Sequence, residues 1–465
     1  MVTWSQSNPA RADAMRNRER MLDAAERMLE RSPSATLADI AAAAGVSRST
    51  VHRRFGDKRG LVEALRARPQ SSDPPDAEEP LPAGRLGRER PTTLDAIQVF
   101  DAVPPAALPE QLVAEAERVA QVPVALYVLD IDGTHLLHMA GTDRLGPRIP
   151  APLAVGPELD ADALFRVRAG LEEFRGAQVY ALWLRGRANG ALVTFGRPVR
   201  PLTDLARQAS AAITLADRYT DTFARAQRRR QPRAAAEIQQ SLLPPRIARV
   251  TGGEVAGNVL PSYEVAGDWF DVVENADGVW ITLADGLGGS TRAAAASAVA
   301  LGALRASRRS GGLPAEALVT MHQTLRELPG RRAEMTAVVA HWDPANGDLD
   351  VANCGHVAPL VLREGAGAEQ IGASAGRGLG GRASPKPTED STRLRAGDRL
   401  VLVSDGVVNC GAGQAGLGVA GVTEAASFAE ATSAAETVRQ LHAVVLSATG
   451  GDLSDDATAV CLAVG

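Results

Sequence analysis

Val279-Trp-Ile-Thr-Leu-Ala-Asp285-Gly-Leu-Gly-Gly289 is an apolar run that ends on an acid and a glycine-rich turn. Three further stretches set carboxylates in similar places. They are Glu264-Val-Ala-Gly-Asp268, Ser404-Asp405-Gly406-Val407 and Ser454-Asp455-Asp456-Ala457-Thr458. Arg399-Leu-Val-Leu-Val403 runs into Asp405, and Ala457-Thr-Ala-Val-Cys-Leu-Ala-Val464 leaves Asp456. Each apolar run reads as a buried strand. Carboxylates at strand ends can converge on one sheet edge, where they repel unless protonated or neutralised by cations. An all-oxygen cluster suits hard cations such as Mg²⁺ or Mn²⁺. Two such ions about 3.5–4 Å apart would activate a water and clamp a phosphoryl group. One Asp-Gly alone would read as a hairpin turn. Four ordered motifs with strand contexts do not.

The ordered set resembles the metal-dependent serine/threonine protein phosphatases (PPM family), and within them the SpoIIE-like bacterial branch. The likeness runs over about residues 237–465. It includes Glu237-Ile-Gln-Gln-Ser-Leu-Leu-Pro244, the turn Asp343-Pro-Ala-Asn-Gly-Asp348, Val351-Ala-Asn-Cys-Gly-His-Val-Ala-Pro359 and Leu394-Arg-Ala-Gly-Asp398. The resemblance implies an α/β sandwich of two antiparallel sheets flanked by helices. It also implies two Mn²⁺ or Mg²⁺ ions and catalysis without a protein nucleophile. Asp268 and Asp285 would be ligands, Asp285 bridging, with the Gly286 carbonyl beside them. Asp405 and Asp455 would complete the site, and Asp456 could ligate in place of Asp455. Ala266 and the Ala284-Asp-Gly-Leu-Gly-Gly289 form depart from the branch's usual residues without removing a carboxylate. His356 is a candidate general acid by residue type, although a His in an Asn-x-Gly-His turn more often satisfies backbone groups. His341, in a strand-like run, reads as packing.

At 465 residues the chain is too long for one domain. Its 45% hydrophobic and 23% charged content is that of a soluble globular protein. A net charge of −5 argues against a protein that coats nucleic acid along its whole length. No apolar run approaches the ~18–20 residues of a bilayer span, and the first residues lack the pattern of a signal peptide. Cys354, Cys410 and Cys461 have no metal or redox spacing and suit a reducing cytoplasm.

Residues 11–68 carry thirteen Arg and Lys against eight Asp and Glu, so this part is basic within an acidic chain. A helix is expected over Arg20–Leu29 and another from Thr36 to Ala44, with Thr36 as its cap. Gly45-Val46 turns the chain, and Ser47 caps a short basic helix. This is the helix-turn-helix pattern. Ile40-Ala41, Ala44-Gly-Val-Ser47, Thr50-Val51, Phe55, Lys58 and Leu61 resemble TetR-type DNA-binding domains. By that resemblance Arg48, Ser49, Thr50 and His52 would face the major groove, and Arg53, Lys58 and Arg59 the phosphates. His52 stands where the family usually has Tyr. A helical bundle with a solvated basic face is the alternative.

Residues 69–91 are rich in Pro and acids and read as a linker. Residues 92–220 show strand, hairpin and closing-helix signals that resemble a GAF-type sensory domain, with the hairpin turn expected at Asn189-Gly190. His135 and His138 read as surface or core residues. Residues 221–245 read as a mostly helical linker with an apolar stripe of Ile238, Leu242 and Leu243, and Arg228-Arg-Arg230 as a solvated face. The phosphatase domain is then 246–465. The reading is of a cytoplasmic Mn²⁺/Mg²⁺-dependent phosphoserine/phosphothreonine protein phosphatase. By family resemblance its substrate would be a phosphorylated anti-anti-sigma (STAS-type) protein in a partner-switching pathway. DNA would bind at the N-terminus, and a homodimer would form through the GAF-like domain and linker helix. The alternative is a DNA-binding regulator whose phosphatase fold serves as sensor or scaffold.

Overall fold

The computed structural model describes Thr36 and residues 93–465, apart from 152–153, 172–175, 262–266, 289, 330–332, 364–366, 374–375, 412–415, 428–432 and 454. Residues 1–89 and 90–465 are two compact units. The helix-turn-helix expected at 11–68, with Arg48, Ser49, Thr50, His52, Arg53 and Lys58, and the linker at 69–91 lie outside the described residues, as does Glu264.

The second unit opens with an α+β layer. Helices α1 (Thr93–Ala102) and α2 (Leu108–Ala120) precede strands β1 (Val124–Leu129), β2 (His135–Gly141) and β3 (Arg148–Pro150). Helix α3 (Ala161–Leu171), strands β4 (Ala177–Leu184) and β5 (Arg187–Phe195), and helix α4 (Thr203–Ala216) follow. The sheet order is β3-β2-β1-β5-β4, all antiparallel. Phe100, Leu112, Leu205 and Ile213 form one apolar cluster with the sheet, and Leu164, Val167 and Leu171 another. All of β1 is therefore buried, which explains its unbroken apolar sequence.

Two local expectations are corrected here. The β4–β5 turn is Arg185-Gly186, with φ of 49° and 88°, not Asn189-Gly190. Both central residues lie in the left-handed region that a two-residue hairpin demands. Gly190 instead sits inside β5, where a side chain would meet the Tyr127 carbonyl at 2.3 Å. The linker is also more broken than expected. After α4 come only the short α5 (Thr222–Ala226) and then α6 (Ala234–Leu242). Arg228-Arg-Arg230 lies in the gap rather than on a solvated helix face. Arg228 binds Glu237 and the Ala224 carbonyl, and Arg229 binds Asp130 and Asp132. The face that α6 buries is Ala235, Ala236 and Gln239; Ile238, Leu242 and Leu243 are half-buried.

The rest is a four-layer sandwich. Strands β8 (Trp269–Asn275), β9 (Gly278–Gly286), β10 (Met335–Trp342), β11 (Asp348–Cys354) and β14 (Thr388–Arg393) make one sheet, ordered β14-β11-β10-β9-β8. Strands β6 (Ile247–Val250), β7 (Gly253–Leu260), β12 (Leu360–Arg363), β13 (Gly367–Gln370), β15 (Arg399–Val403) and β16 (Ala457–Val464) make the other, ordered β13-β12-β15-β16-β7-β6. Every pairing is antiparallel. Val259, Phe270, Ile281, Val338, Leu402 and Val460 fill the space between the sheets. Helices α7 (Thr291–Arg309) and α8 (Pro314–Glu327) cover the first sheet. The second is covered by α9 (Asp405–Val408), α10 (Gly418–Ser427) and α11 (Ala434–Thr449). Ser290 and Ser433 cap α7 and α11, each accepting a backbone N–H. The exposed outer strands β13 and β14 carry Glu369, Glu389, Asp390 and Arg393, charges that discourage edge pairing with another chain.

The two parts of this unit are joined by buried ionic groups. Arg439 on α11 binds Asp160 and Glu436, and Glu158 accepts the Ile247 N–H beside Arg187.

Candidate metal centre

Four of the predicted acids sit at strand ends. Asp268 immediately precedes β8, and Asp285 is the penultimate residue of β9. Asp405 follows β15 and opens α9, while Asp456 immediately precedes β16. Asp455 stands next to Asp456, on the exposed side.

Two close backbone approaches bring the strand ends together. A side chain at Gly267 would meet the Gly286 carbonyl oxygen at 2.1 Å, and Gly286 N–H donates to the Gly267 carbonyl. A side chain at Gly406 would meet the Asp456 carbonyl at 2.0 Å. The glycines of both motifs thus permit close contact between neighbouring strand ends of each sheet rather than forming hairpin turns. The Gly286 carbonyl, an expected ligand, is the atom packed against Gly267.

The acids divide into an inner and an outer group. Asp268 is buried; its carboxylate accepts the Thr458 hydroxyl, and its N–H donates to Asp456 Oδ2 at 3.2 Å. Asp456 is buried and also accepts Gln239 Nε2, which donates in addition to the Asp268 carbonyl at 2.8 Å. Ser404 and Thr458 link the two strand ends: the Thr458 N–H donates to Ser404 Oγ at 2.9 Å, and the Ser404 N–H donates to the Thr458 carbonyl at 2.9 Å. On the outer side, Asp405 and Asp455 line a cleft of about 360 Å³ with Asn409, Cys410 and Thr449. Asp285 stands between the groups, acted on by Asp268, Asp405 and Asp455.

The electrostatics follow from this crowding. Burial holds Asp268 well above the usual carboxylate range, with Asp285 and Asp456 adding repulsion. Burial and the Asp405 charge raise Asp285 to about 6. Burial raises Asp456 to about 7 against the Gln239 hydrogen bond, and Asp455 is raised as well. The ionic neighbours that act most strongly on these groups are one another. Among the described residues no three His, Cys, Asp or Glu side chains already form a closed ligand group. The acids are neighbours whose repulsion a cation would relieve, and an all-carboxylate donor set fits a hard ion.

The described histidines bind groups other than these five acids. His356 is buried, with Nδ1 paired to Thr336 Oγ1 at 2.7 Å and its backbone bridged to Asn353. Burial pushes it down to about 4, so the ring is neutral rather than cationic at neutral pH. His341 packs its ring on Trp280. His135 lies by Asp130 and Thr134, and His138 lies edge-on to Tyr127.

Sequence reading missed Gln239. It lies within the quoted Glu237–Pro244 segment, but its reach of 29 and 217 positions to Asp268 and Asp456 has no local signature.

The two-sheet sandwich with acids at its strand ends has the architecture expected of a PPM-type domain. Residues 275–465 match the family model described as Stage II sporulation protein E (SpoIIE), and residues 21–65 match that of bacterial regulatory proteins, tetR family. The two matches lie in separate parts of the chain. The SpoIIE match includes Asp285, Asp405, Asp455 and Asp456; Asp268 precedes it. Over 50 residues the chain is 54% identical to the HTH-type transcriptional repressor LfrR of Mycolicibacterium smegmatis, covering 11% of this chain and 26% of that protein. Over 228 residues it is 22% identical to phosphoserine phosphatase RsbU of Bacillus subtilis, covering 49% of this chain and 68% of that protein. The solved SiaA-PP2C domain of Pseudomonas aeruginosa is 21% identical, with a TM-score of 0.43, over 50% of this chain and 94% of that one. The chain thus spans about a quarter of the first relative and about two thirds of the second. No described helix is long and apolar enough to cross a membrane.

Proposed function

We propose that the chain is a Mn²⁺- or Mg²⁺-dependent phosphoserine/phosphothreonine protein phosphatase. The observation that carries this is the gathering of Asp268, Asp285, Asp405, Asp455 and Asp456 at one end of the sandwich, where burial raises four of them and each of those has another of the set among its charged neighbours. Asp268, Asp285 and Asp456 would hold one side of a two-ion centre, and Asp405 and Asp455 the other, with the Gly286 carbonyl beside Asp285. When bound, such ions supply Lewis-acid activation of water and neutralise phosphoryl charge. The residues do the positioning. Gln239 and Thr458 fix the inner carboxylates, and the cleft beside Asp405 leaves the outer ones open to a phosphorylated segment.

By the family resemblance, the substrate is a phosphorylated STAS-type anti-anti-sigma protein in a bacterial partner-switching pathway. The α+β layer at 93–216 acts as a GAF-like sensory or dimerising module. Exposed Leu215 and Tyr219, at and just beyond the end of α4, offer a surface for a second copy. Helix α6, joined to the acid cluster through Gln239, relays changes in that module.

Phosphate release from a phosphoserine peptide and from p-nitrophenyl phosphate tests the activity, with Mn²⁺ and with EDTA, in wild type and Asp285→Ala. Turnover that needs Mn²⁺ and disappears in Asp285→Ala is expected. Equal turnover in EDTA, or in Asp285→Ala, would overturn the proposal.

A second reading is favoured by the 54% identity to a repressor over the N-terminal segment. In it the chain binds DNA through Arg48, Ser49, Thr50, His52, Arg53 and Lys58, and the phosphatase fold serves as sensor. Specific DNA binding with no metal-dependent turnover would select this reading.

A further inference from the structure

A second cleft, of about 780 Å³, lies beside β8, the edge strand of the first sheet. The last turns of α7 line it with Arg305, Arg308 and Arg309, and Arg218, just beyond α4, adds a fourth guanidinium. The spacing of the three α7 arginines puts them on one side of that helix. Asp271 on β8 is the one acid in the lining.

That acid is shared. Arg308 Nη1 donates to Asp271 Oδ2 at 2.8 Å, and Arg305 Nη2 donates to Oδ1 at 2.9 Å. Among the described residues these are the only side-chain hydrogen bonds that either guanidinium makes. An arginine carries five donors, so most of those on Arg308 are unmet, although its side chain is only 5% exposed. Unmet donors on a desolvated cation are costly unless an anion meets them. Arg218 and Arg309 are exposed and have no ion-pair partner among the described residues.

Nearby acids do not cancel this excess. Glu274 points to the other face of β8, where it accepts the Thr251 N–H at 2.8 Å. Asp217, next in sequence to Arg218, does not line the cleft. The C-terminal end of α7 carries only a partial negative charge. Four arginines against one buried carboxylate leave a cationic cleft, with Ser241 and Asn275 as further polar groups. Its volume suits a small organic molecule. Guanidinium forks match phosphate oxygens two at a time. A diphosphate carries enough charge to engage several of these arginines while Asp271 stays in place.

We propose that this cleft binds a small molecule bearing a diphosphate group, with phosphate oxygens on Arg218, Arg305, Arg308 and Arg309. Free pyrophosphate and a nucleoside diphosphate share this chemistry. The site is separate from the five acids but built on the same elements. β8 starts immediately after Asp268, and Ser241 is two positions beyond Gln239 on α6.

The test is calorimetric titration of the full chain with pyrophosphate, ADP and adenosine. EDTA is present throughout, so that no divalent ion bridges an anion to the carboxylates. Pyrophosphate and ADP should bind and adenosine should not. Arg218→Glu and Arg309→Glu alter exposed side chains and should each weaken both anions at least about tenfold, as expected for the loss of a charge-assisted hydrogen bond. Arg148→Glu, at an exposed position of β3, should leave both affinities unchanged. Tighter binding of ADP than of pyrophosphate would support the proposal with a nucleotide as ligand, and equal binding would support it with the diphosphate alone. Failure of both anions to bind, adenosine binding as tightly as ADP, or equal effects of Arg148→Glu and Arg309→Glu would overturn the proposal.

Discussion

Removing divalent ions should make this protein less stable as pH rises, the reverse of ordinary acid denaturation. Folding carries the Asp456 carboxyl from 3.8 to about 7 and Asp285 to about 6, and burial raises Asp268 well above its ordinary value. The folded chain then binds more protons than the unfolded chain between about pH 4 and pH 7. Stability falls wherever the native state binds the extra protons. It is fullest below 3.8 and is lost as pH rises toward 7. For Asp456 alone, the shift corresponds to about 4 kcal/mol at neutral pH. In a domain of this size that is roughly 10 °C in melting temperature. Cations that neutralise the cluster remove the penalty, so the slope should vanish at saturating Mn²⁺. The assay is thermal melting from pH 5 to 7.5, in EDTA and in Mn²⁺. Comparing the two cancels groups outside the site, such as Glu436, whose carboxyl is depressed and contributes with the opposite sign. Asp456→Asn should reduce the slope of the EDTA profile, leaving the part due to Asp285 and Asp268. A melting temperature in EDTA that is flat or rises with pH, parallel to that in Mn²⁺, would refute the reasoning.

Other outcomes follow from particular contacts. Gln239→Ala removes a hydrogen bond that favours ionised Asp456 and frees the Asp268 backbone. Mn²⁺ affinity at pH 7, read by calorimetry, should fall about 10–100-fold; an unchanged affinity would leave Gln239 a packing residue. Asp271→Asn strips the counter-charge from Arg308, which is buried beside it, and from Arg305. A loss of about 3–5 kcal/mol in urea unfolding is expected, and a change below about 1 kcal/mol would contradict it. In the N-terminal segment, Lys58→Ala should weaken DNA binding and lower the salt dependence, measured by anisotropy, by about one ion. An unaltered slope would remove Lys58 from the phosphate contacts.

The central strands of the sandwich were readable because they are buried on both faces. Their runs from Val279 to Ala284, Leu400 to Val403 and Ala457 to Ala463 are apolar but for Thr282 and Thr458. The acids at their ends were readable for the same reason, since a carboxylate closing such a run has no place in the core. The doublet Asp455-Asp456 could not be resolved from spacing. In the structure Asp456 turns inward toward Asp268 and Asp455 stays exposed by Asp405. Local signals failed where the tertiary environment overrode them. Asn189-Gly190 looks like a hairpin turn, yet Gly190 is needed where β5 crosses the Tyr127 carbonyl. The arginine triplet looked solvated because Asp130, Asp132 and Glu237 are distant in sequence or beyond a helix break. Gln239 had no signal, because its partners come from two other strand ends.

The most direct test of the two-ion centre is a count of Mn²⁺ bound per chain. Equilibrium dialysis at pH 7.5 should give two ions on the wild-type protein, and at most one on folded Asp285→Ala. A wild-type protein that binds no Mn²⁺, or an Asp285→Ala variant that still binds two, would contradict the account.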